Sequence, residues 1–391
     1  MNTHVPKPDH TAPHTINLAL QGGGSHGAFT WGVLDALLED GRIDFEGISG
    51  TSAGAMNAVA LAHGFALAQD KPHLDAREAA RESLASFWNG IVAMGALGQA
   101  QRAPFDLMMG LVGHSPTSQW ADSVTRAWAG TVSPYQSNPL GLNPLQEFVS
   151  RQIDFERLTR LKRLKLFVVA THVSTGRAEV FTGKRLTASA VMASACLPMM
   201  FQAVEIEGEH YWDGGYAGNP AIHPLIYQCQ SRDIVLVQIN PVLRDHTPQT
   251  PGDILDRVNE LTFNASLMAQ MREIDFINRL LAEGLLQGNR CRSVLLHRID
   301  GGATLQGYPA SSRGSADAGL VRTLFELGQQ SGQQWLQRHF DDLGQRSTID
   351  IRRDYLDDTR VDSVRRANSA TPVPRRGLGS LISALFRRRK R

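Results

Sequence analysis

The strongest constraint on the fold is a succession of strand, glycine-rich turn and helix that occurs twice within the first 70 residues. An apolar run at residues 16–20 leads into the glycine-rich segment 22–27, after which apolar residues recur at helical spacing. A second apolar run at 45–49 leads into residues 50–54 and then into an Ala-rich helix. A strand that passes through a tight turn into a helix is typical of α/β proteins.

Strands and helices continue to alternate along the rest of the chain. The predicted strands lie at 164–171, 178–182, 234–239 and near 293–299, and the predicted helices at 187–196, 252–283 and 316–340. This alternation predicts an α/β fold with a largely parallel central sheet. Residues 95–145 show no sustained period and are predicted to form short helices and loops, as in a lid or pocket wall.

Composition argues against several classes of protein. Hydrophobic residues make up 42% of the 391 residues, enough for a sizeable core and too many for a disordered chain. The three cysteines include no close pair, which argues against a disulfide framework or a zinc site and predicts a reducing, cytoplasmic location. No apolar run is long enough to predict a membrane-spanning helix, so membrane association is expected to be peripheral.

The formal net charge of +2 is unevenly distributed along the sequence. From Pro372 onward the chain carries seven basic residues and no acid, which leaves a net charge of −5 for the remainder. The same segment carries one apolar helical stripe, formed by Leu378, Leu381, Ile382, Leu385 and Phe386. Residues 377–391 are therefore predicted to lie in an anionic membrane surface. A nuclear signal, a nucleic-acid arm or a solvated tail are the alternatives, and no nucleic-acid partner is expected.

The second glycine turn fits the pattern G-x-S-x-G. Its residues are Gly50, Thr51, Ser52, Ala53 and Gly54. This pattern places a serine on a tight turn between a strand and a helix, where small neighbours let the backbone fold sharply. The helix N-terminus favours negative charge at that point. The flanking strand and helix supply the required context, so Ser52 is a candidate nucleophile.

The first glycine turn fits G-x-G-x-x-G between a strand and a helix, which is also the pattern of a dinucleotide site. A dinucleotide site needs an acidic residue at the end of the second strand, where this chain has Gly50, Thr51 and Ser52 instead. The alternative is an oxyanion hole built from backbone amides beside the nucleophile. The amides assigned to it are those of Gly22, Gly23, Gly24, Ser25 and Gly27.

A serine nucleophile also requires a base. None of the downstream histidines follows a strand in an obvious catalytic loop. The better candidate is Asp213, because Gly214 and Gly215 permit a turn that brings its carboxylate to Ser52. A free aspartate has a pKa of about 4. The neighbouring Tyr211, Trp212 and Tyr216 are expected to raise that value by partial burial.

In their order along the chain, G-G-G-S-H-G, G-T-S-A-G and D-G-G resemble the motifs of the patatin-like phospholipases. The resemblance covers about residues 16–240 and extends only loosely to the C-terminal third. It implies a three-layer α/β/α sandwich that needs neither a metal nor an organic cofactor. It also implies that Ser52 forms an acyl-enzyme, that Asp213 is the general base of a Ser–Asp dyad, and that the first glycine turn is the oxyanion hole.

One position departs from the family pattern. Many members carry Arg or Lys where this chain has His26. If that cation holds the glycine turn or binds an anionic head group, His26 is expected to do so in a pH-dependent way. The departure affects the expected head-group preference more than the acyl chemistry.

The expected organisation has four parts. A disordered leader at 1–14 precedes a hydrolase domain at 15–345, which has core motifs at 16–240 and a helical part at 250–345. A charged, Pro-rich linker at 346–376 joins it to the basic amphipathic tail. The expected activity is that of a phospholipase A or lysophospholipase. The alternatives are a non-phospholipid esterase or thioesterase on the same dyad, a dinucleotide-binding oxidoreductase, and an inactive lipid-binding scaffold.

Overall fold

A computed structural model describes residues 13–71, 73–111, 133–244, 247–286, 292–308, 310–314 and 316–356. Of residues 97–111, 310 and 311 it describes the backbone alone. Most of the expected leader, most of the charged linker and the whole tail at 377–391 lie outside the described residues. The predictions for those segments therefore stay predictions.

The described residues form an α/β unit around one eight-stranded sheet. The strands are β1 (His14–Leu20), β2 (Ile43–Thr51), β3 (Lys165–His172), β4 (Ala178–Phe181), β5 (Val204–Ile206), β6 (Glu209–Asp213), β7 (Asp233–Gln238) and β8 (Leu295–Asp300). Their spatial order is β5-β6-β3-β2-β1-β7-β8, and β4 pairs separately with β3. Five neighbouring strands, β3-β2-β1-β7-β8, run parallel to one another. The pairings of β3 with β4, of β3 with β6 and of β5 with β6 are antiparallel.

The central strands are apolar along nearly their whole length because helices flank the sheet. Every residue of β7 is buried, as are the last five residues of β1. This burial explains why the sequence shows continuous apolar runs instead of alternation. The mixed α/β fold with a central sheet between helices, predicted from the sequence, is confirmed.

Helices connect the strands. The helices are α1 (Gly27–Asp40), α2 (Ala53–Gln69), α3 (Ala76–Leu111), α4 (Pro134–Ser137), α5 (Pro144–Gln152), α6 (Phe155–Arg160), α7 (Ala188–Ser194), α8 (His223–Gln228), α9 (Pro251–Ala282), α10 (Gly302–Gln306) and α11 (Ala318–His339). Helix α1 packs on α11, and α2 packs on α3. Among the described residues, no helix is long and apolar enough to cross a bilayer.

Two sequence predictions differ from the structure. Residues 95–111 continue the long helix α3, although they were predicted as short helices and loops. They hold three Ala, three Leu, two Met and two Gln, which favour a helix, but also three Gly and Pro104, which led the sequence to predict interruptions. Asp213, predicted to lie in a loop, is the last residue of β6. That strand was missed because the run Glu209–Asp213 carries little apolar alternation.

The chain divides into a unit of residues 1–349 and a second unit of residues 350–391. Of the second unit, the structure describes residues 350–356. They contain one π-helical turn at Arg352–Leu356.

Candidate active site

Ser52 stands between the end of β2 and the first residue of α2. Its backbone has a φ of 54° and a ψ of −122°, a conformation that non-glycine residues rarely adopt. The side chain is 8% exposed. A strained serine on a strand-to-helix turn has the geometry of a nucleophile elbow, because the turn lifts the hydroxyl away from the backbone of both elements.

The first glycine turn lies directly against this elbow. A Cβ atom on Gly22 would come within 2.8 Å of the Ser52 Cβ and 2.7 Å of the Thr51 carbonyl oxygen. Real side chains do not tolerate such contacts, so the backbone can approach Ser52 this closely only if residue 22 is glycine. The first glycine turn therefore packs directly on the turn that carries Ser52.

The sheet register brings Asp213 to the same region. Asp213 pairs with Ala170 on β3, and the preceding residue of β3, Val169, pairs with Thr51 at the end of β2. The residue after the aspartate, Gly214, packs on the Thr51 side chain. Two short strand pairings thus place the carboxylate beside residues that are distant in sequence.

Burial dominates the electrostatics of Asp213, whose side chain is 1% exposed. It raises the pKa of Asp213 from 3.8 to about 7, because the charged form loses its hydration. The Gly215 amide, which donates to Oδ1 at 2.7 Å, and the Ser52 hydroxyl lower the pKa in part. Oδ2 is buried and has no hydrogen-bond partner of standard geometry among the described residues. This oxygen is the one available to Ser52.

The amides assigned to the oxyanion hole fall into two groups. The Gly22 amide donates to Asn219 Oδ1 at 2.7 Å, and the Gly27 amide donates to the carbonyl oxygens of Gly24 and Ser25. Both amides are thus engaged within the protein, that of Gly22 with Asn219 and that of Gly27 within the short helical turn. No hydrogen bond within the described ranges uses the amides of Gly23, Gly24 or Ser25. Those three remain candidate donors.

A buried amide network holds the glycine turn, and sequence reasoning missed it. Gln21 Oε1 accepts from the amides of Ile239 and Asn240, each at 2.9 Å. The Asn240 side-chain amide donates to the Gly22 carbonyl oxygen at 2.7 Å. The one signal in the sequence is a polar residue directly after each of two predicted strands, Gln21 after 16–20 and Asn240 after 234–239. Such polar residues predict a contact with each other only when the order of the strands in the sheet is known.

His26 is buried, and its Nε2 atom lies 2.8 Å from the Ser312 hydroxyl. Burial, together with the nearby cations of Arg313 and Arg244, lowers the pKa of His26 to about 4. The imidazole is therefore neutral at neutral pH. Burial disfavours its charged form, so the pH-dependent role expected for His26 would be confined to acidic pH and stays a prediction.

Within the described ranges, no group of three or more His, Cys, Asp and Glu side chains is placed to hold a metal ion. Of the other residues of the elbow motif, Gly50 and Thr51 end β2, and Ala53 and Gly54 begin α2. Gly214 and Gly215 are buried in the turn that directly follows β6.

The family model for patatin-like phospholipases matches residues 18–226, more than half of the chain. The chain belongs to the patatin-like phospholipase family. Family membership makes this patatin-like protein a lipid hydrolase, and its matched region contains both glycine turns, Ser52 and Asp213. No curated protein sequence matches it significantly.

Two solved structures are similar to this patatin-like chain. VipD from Legionella pneumophila is 17% identical, with 90% of this chain and 74% of VipD covered and a TM-score of 0.37. The ExoU–SpcU complex from the type III secretion system of Pseudomonas aeruginosa gives 16% identity, 92% and 61% coverage, and a TM-score of 0.33.

Proposed function

We propose that this chain is a phospholipase A or lysophospholipase that works through a Ser52–Asp213 dyad. The observation that carries the proposal is the strained Ser52 elbow beside a fully buried Asp213 with a raised pKa. A carboxyl group that titrates near neutral pH is a far better proton acceptor for a serine hydroxyl than an ordinary aspartate.

The proposed reaction proceeds in two steps. Asp213 takes the proton of the Ser52 hydroxyl while the serine oxygen attacks the ester carbonyl carbon. The amides of Gly23, Gly24 and Ser25 stabilise the oxyanion, which collapses to an acyl-enzyme as Asp213 returns the proton to the leaving alcohol oxygen. Water then attacks the acyl-enzyme, again with Asp213 as base, and releases the fatty acid and free Ser52.

Exposed apolar side chains support a lipid substrate over a small soluble ester. Met199 and Met200, 62% and 59% exposed, lie on the turn that follows α7. Gln202 on that turn donates to the Asn138 carbonyl oxygen at 2.6 Å, which ties the turn to a segment with exposed leucines at 140 and 142. A surface of this kind suits contact with acyl chains. An esterase or thioesterase on the same dyad is the second candidate.

The dyad predicts a specific pH dependence. Asp213 must be ionised to accept a proton, so kcat/KM should rise with pH and level off above a pKa of about 7. At pH 5 the expected loss is about 100-fold. A pH–rate profile on a short soluble ester measures this limb without interference from lipid packing. An acidic limb centred near 4 would contradict the role of the buried carboxyl group.

The substrate class and the basic tail can be tested together. We expect the full chain to hydrolyse anionic phospholipid vesicles faster than a short soluble ester. Deleting residues 377–391 should lower vesicle hydrolysis and vesicle sedimentation, because each basic residue near an anionic surface contributes about 1 kcal/mol. Soluble-ester turnover should be unchanged and serves as the control. Faster turnover of the soluble ester would favour the esterase, and unchanged sedimentation would exclude the tail as a membrane anchor.

The domain organisation follows from the same proposal. Residues 15–345 would form the hydrolase domain, 346–376 the linker and 377–391 the membrane-binding tail, so that the protein associates peripherally with lipid.

A further inference from the structure

The backbone amides of both proposed dyad residues are held by one short segment, residues 188–196. The Ser52 amide donates to the Ser194 hydroxyl oxygen at 2.8 Å. The Asp213 amide donates to the Cys196 carbonyl oxygen at 2.8 Å. Helix α7 and its C-terminal end therefore contact the elbow and the aspartate at the same time, although the two residues are 161 positions apart.

This segment is firmly fixed in the core. Ser194 is 0% exposed, and Val191, Met192 and Ala193 before it are almost completely buried. The Thr187 side chain accepts from the Ala190 amide at 3.2 Å and caps the start of α7. Because these residues are packed in the core, the helix has little freedom to shift, and the two amides that it holds keep a fixed separation.

Of the two hydrogen bonds, the one from the Ser52 amide supports a strained backbone conformation. Ser52 holds a φ of 54°, and such a conformation persists only where its surroundings impose it. A buried amide without a partner would favour rotation away from that conformation. The Ser194 oxygen is the acceptor that satisfies the amide in the strained state. Complete burial leaves Ser194 without access to substrate, so it cannot serve as a nucleophile.

We propose that Ser194 is a positioning residue, whose hydroxyl holds the elbow and sets the separation of the Ser52 hydroxyl from the Asp213 carboxylate. This inference rests on the proposed Ser–Asp function. The sequence motifs of the site do not include Ser194, and its role follows from the hydrogen bond alone.

Replacing Ser194 by Ala tests the inference. On a short soluble ester, kcat should fall on the order of 10- to 100-fold with little change in KM, because misplacement of a reacting group slows the chemical step. Labelling of Ser52 by a fluorophosphonate should slow by a similar factor. The Ser52 hydroxyl lowers the pKa of Asp213, so its displacement should also move the acidic limb of the pH profile to higher pH.

Three further variants separate positioning from stability. Thr187→Ala removes the cap of the same helix, and should lower the unfolding temperature without moving the acidic limb or the labelling rate per folded molecule. Ser194→Cys keeps the volume but offers a weak acceptor, and should be nearly as impaired as Ser194→Ala. Ser194→Thr keeps the hydroxyl and should recover most of kcat. If Ser194→Ala does not fold, the Cys and Thr variants still decide between the two roles.

The outcomes distinguish this inference from the proposed function. Suppose that Ser52 is labelled in the wild type, and that the Ser194 variants have the kcat of the wild type and the same acidic limb in the pH–rate profile. The positioning role is then overturned and the dyad stands. If the variants lose activity only in proportion to the fraction of unfolded protein, as expected for Thr187→Ala, the positioning role is also overturned. If the wild type is not labelled at Ser52, the proposed function itself fails.

Discussion

Ser52→Ala is expected to abolish ester hydrolysis, with a loss on the order of 10⁴- to 10⁶-fold. Without the hydroxyl no acyl-enzyme can form, and the amides of the glycine turn can only polarise the carbonyl group for attack by water. Alanine keeps the Cβ atom that packs against Gly22, so the fold should be retained. Fluorophosphonate labelling followed by intact-protein mass spectrometry gives the direct measurement.

A second buried serine provides the matched control for this variant. Ser83 is buried on α3, and its hydroxyl lies 3.3 Å from His63 Nδ1, within a pair that has no part in the proposed dyad. Ser83→Ala should label like the wild type. Full labelling of Ser52→Ala would refute the proposed mechanism.

Asp213→Asn should lower kcat by a factor on the order of 10³ to 10⁴, comparable to the loss of the orienting acid in a serine protease triad. The amide has the same shape and keeps an oxygen for the Gly215 amide, but it cannot take a proton from Ser52. Labelling should slow by a similar factor while Ser52 remains the modified residue. Residual labelling with an unshifted acidic limb would show that another group is the base.

The same variant carries a prediction for stability. The pKa of Asp213 is raised in the folded protein, so the folded state binds more protons than the unfolded state between about pH 4 and 7. The free energy of unfolding of the wild type therefore decreases as pH rises through this window. Asparagine does not titrate, so the unfolding temperature of Asp213→Asn relative to the wild type should increase from pH 4 to pH 8. A difference independent of pH would contradict the buried, proton-binding carboxyl group.

Features that depend on local sequence were predictable. A nucleophile elbow needs small residues around a serine between a strand and a helix, and five consecutive residues supply all of that information. The central strands are nearly continuous apolar runs, so their positions were predicted to within a few residues. Asp213 was predicted as the base because two glycines mark its turn, although the strand that ends on it was missed.

Features that depend on distant contacts were not predictable from one sequence. Whether the Gly22 amide is free depends on Asn219, which reaches it only after the chain has folded. The charge of His26 depends on burial and on cations that follow it by more than 200 residues. The role of Ser194 likewise follows from a contact across 142 positions, which no motif records.

The position of β1 between β2 and β7 has a consequence for synthesis of the chain. The region matched by the family model ends at residue 226, before β7 begins, so a truncation at that boundary would keep Ser52 and Asp213 but lose a central strand. It would also lose Asn240, which holds Gly22. Under the proposed mechanism, a growing polypeptide that already contains Ser52 and Asp213 would still lack the contact that holds the first glycine turn. We therefore expect hydrolysis of lipid only after residue 240 has left the ribosome.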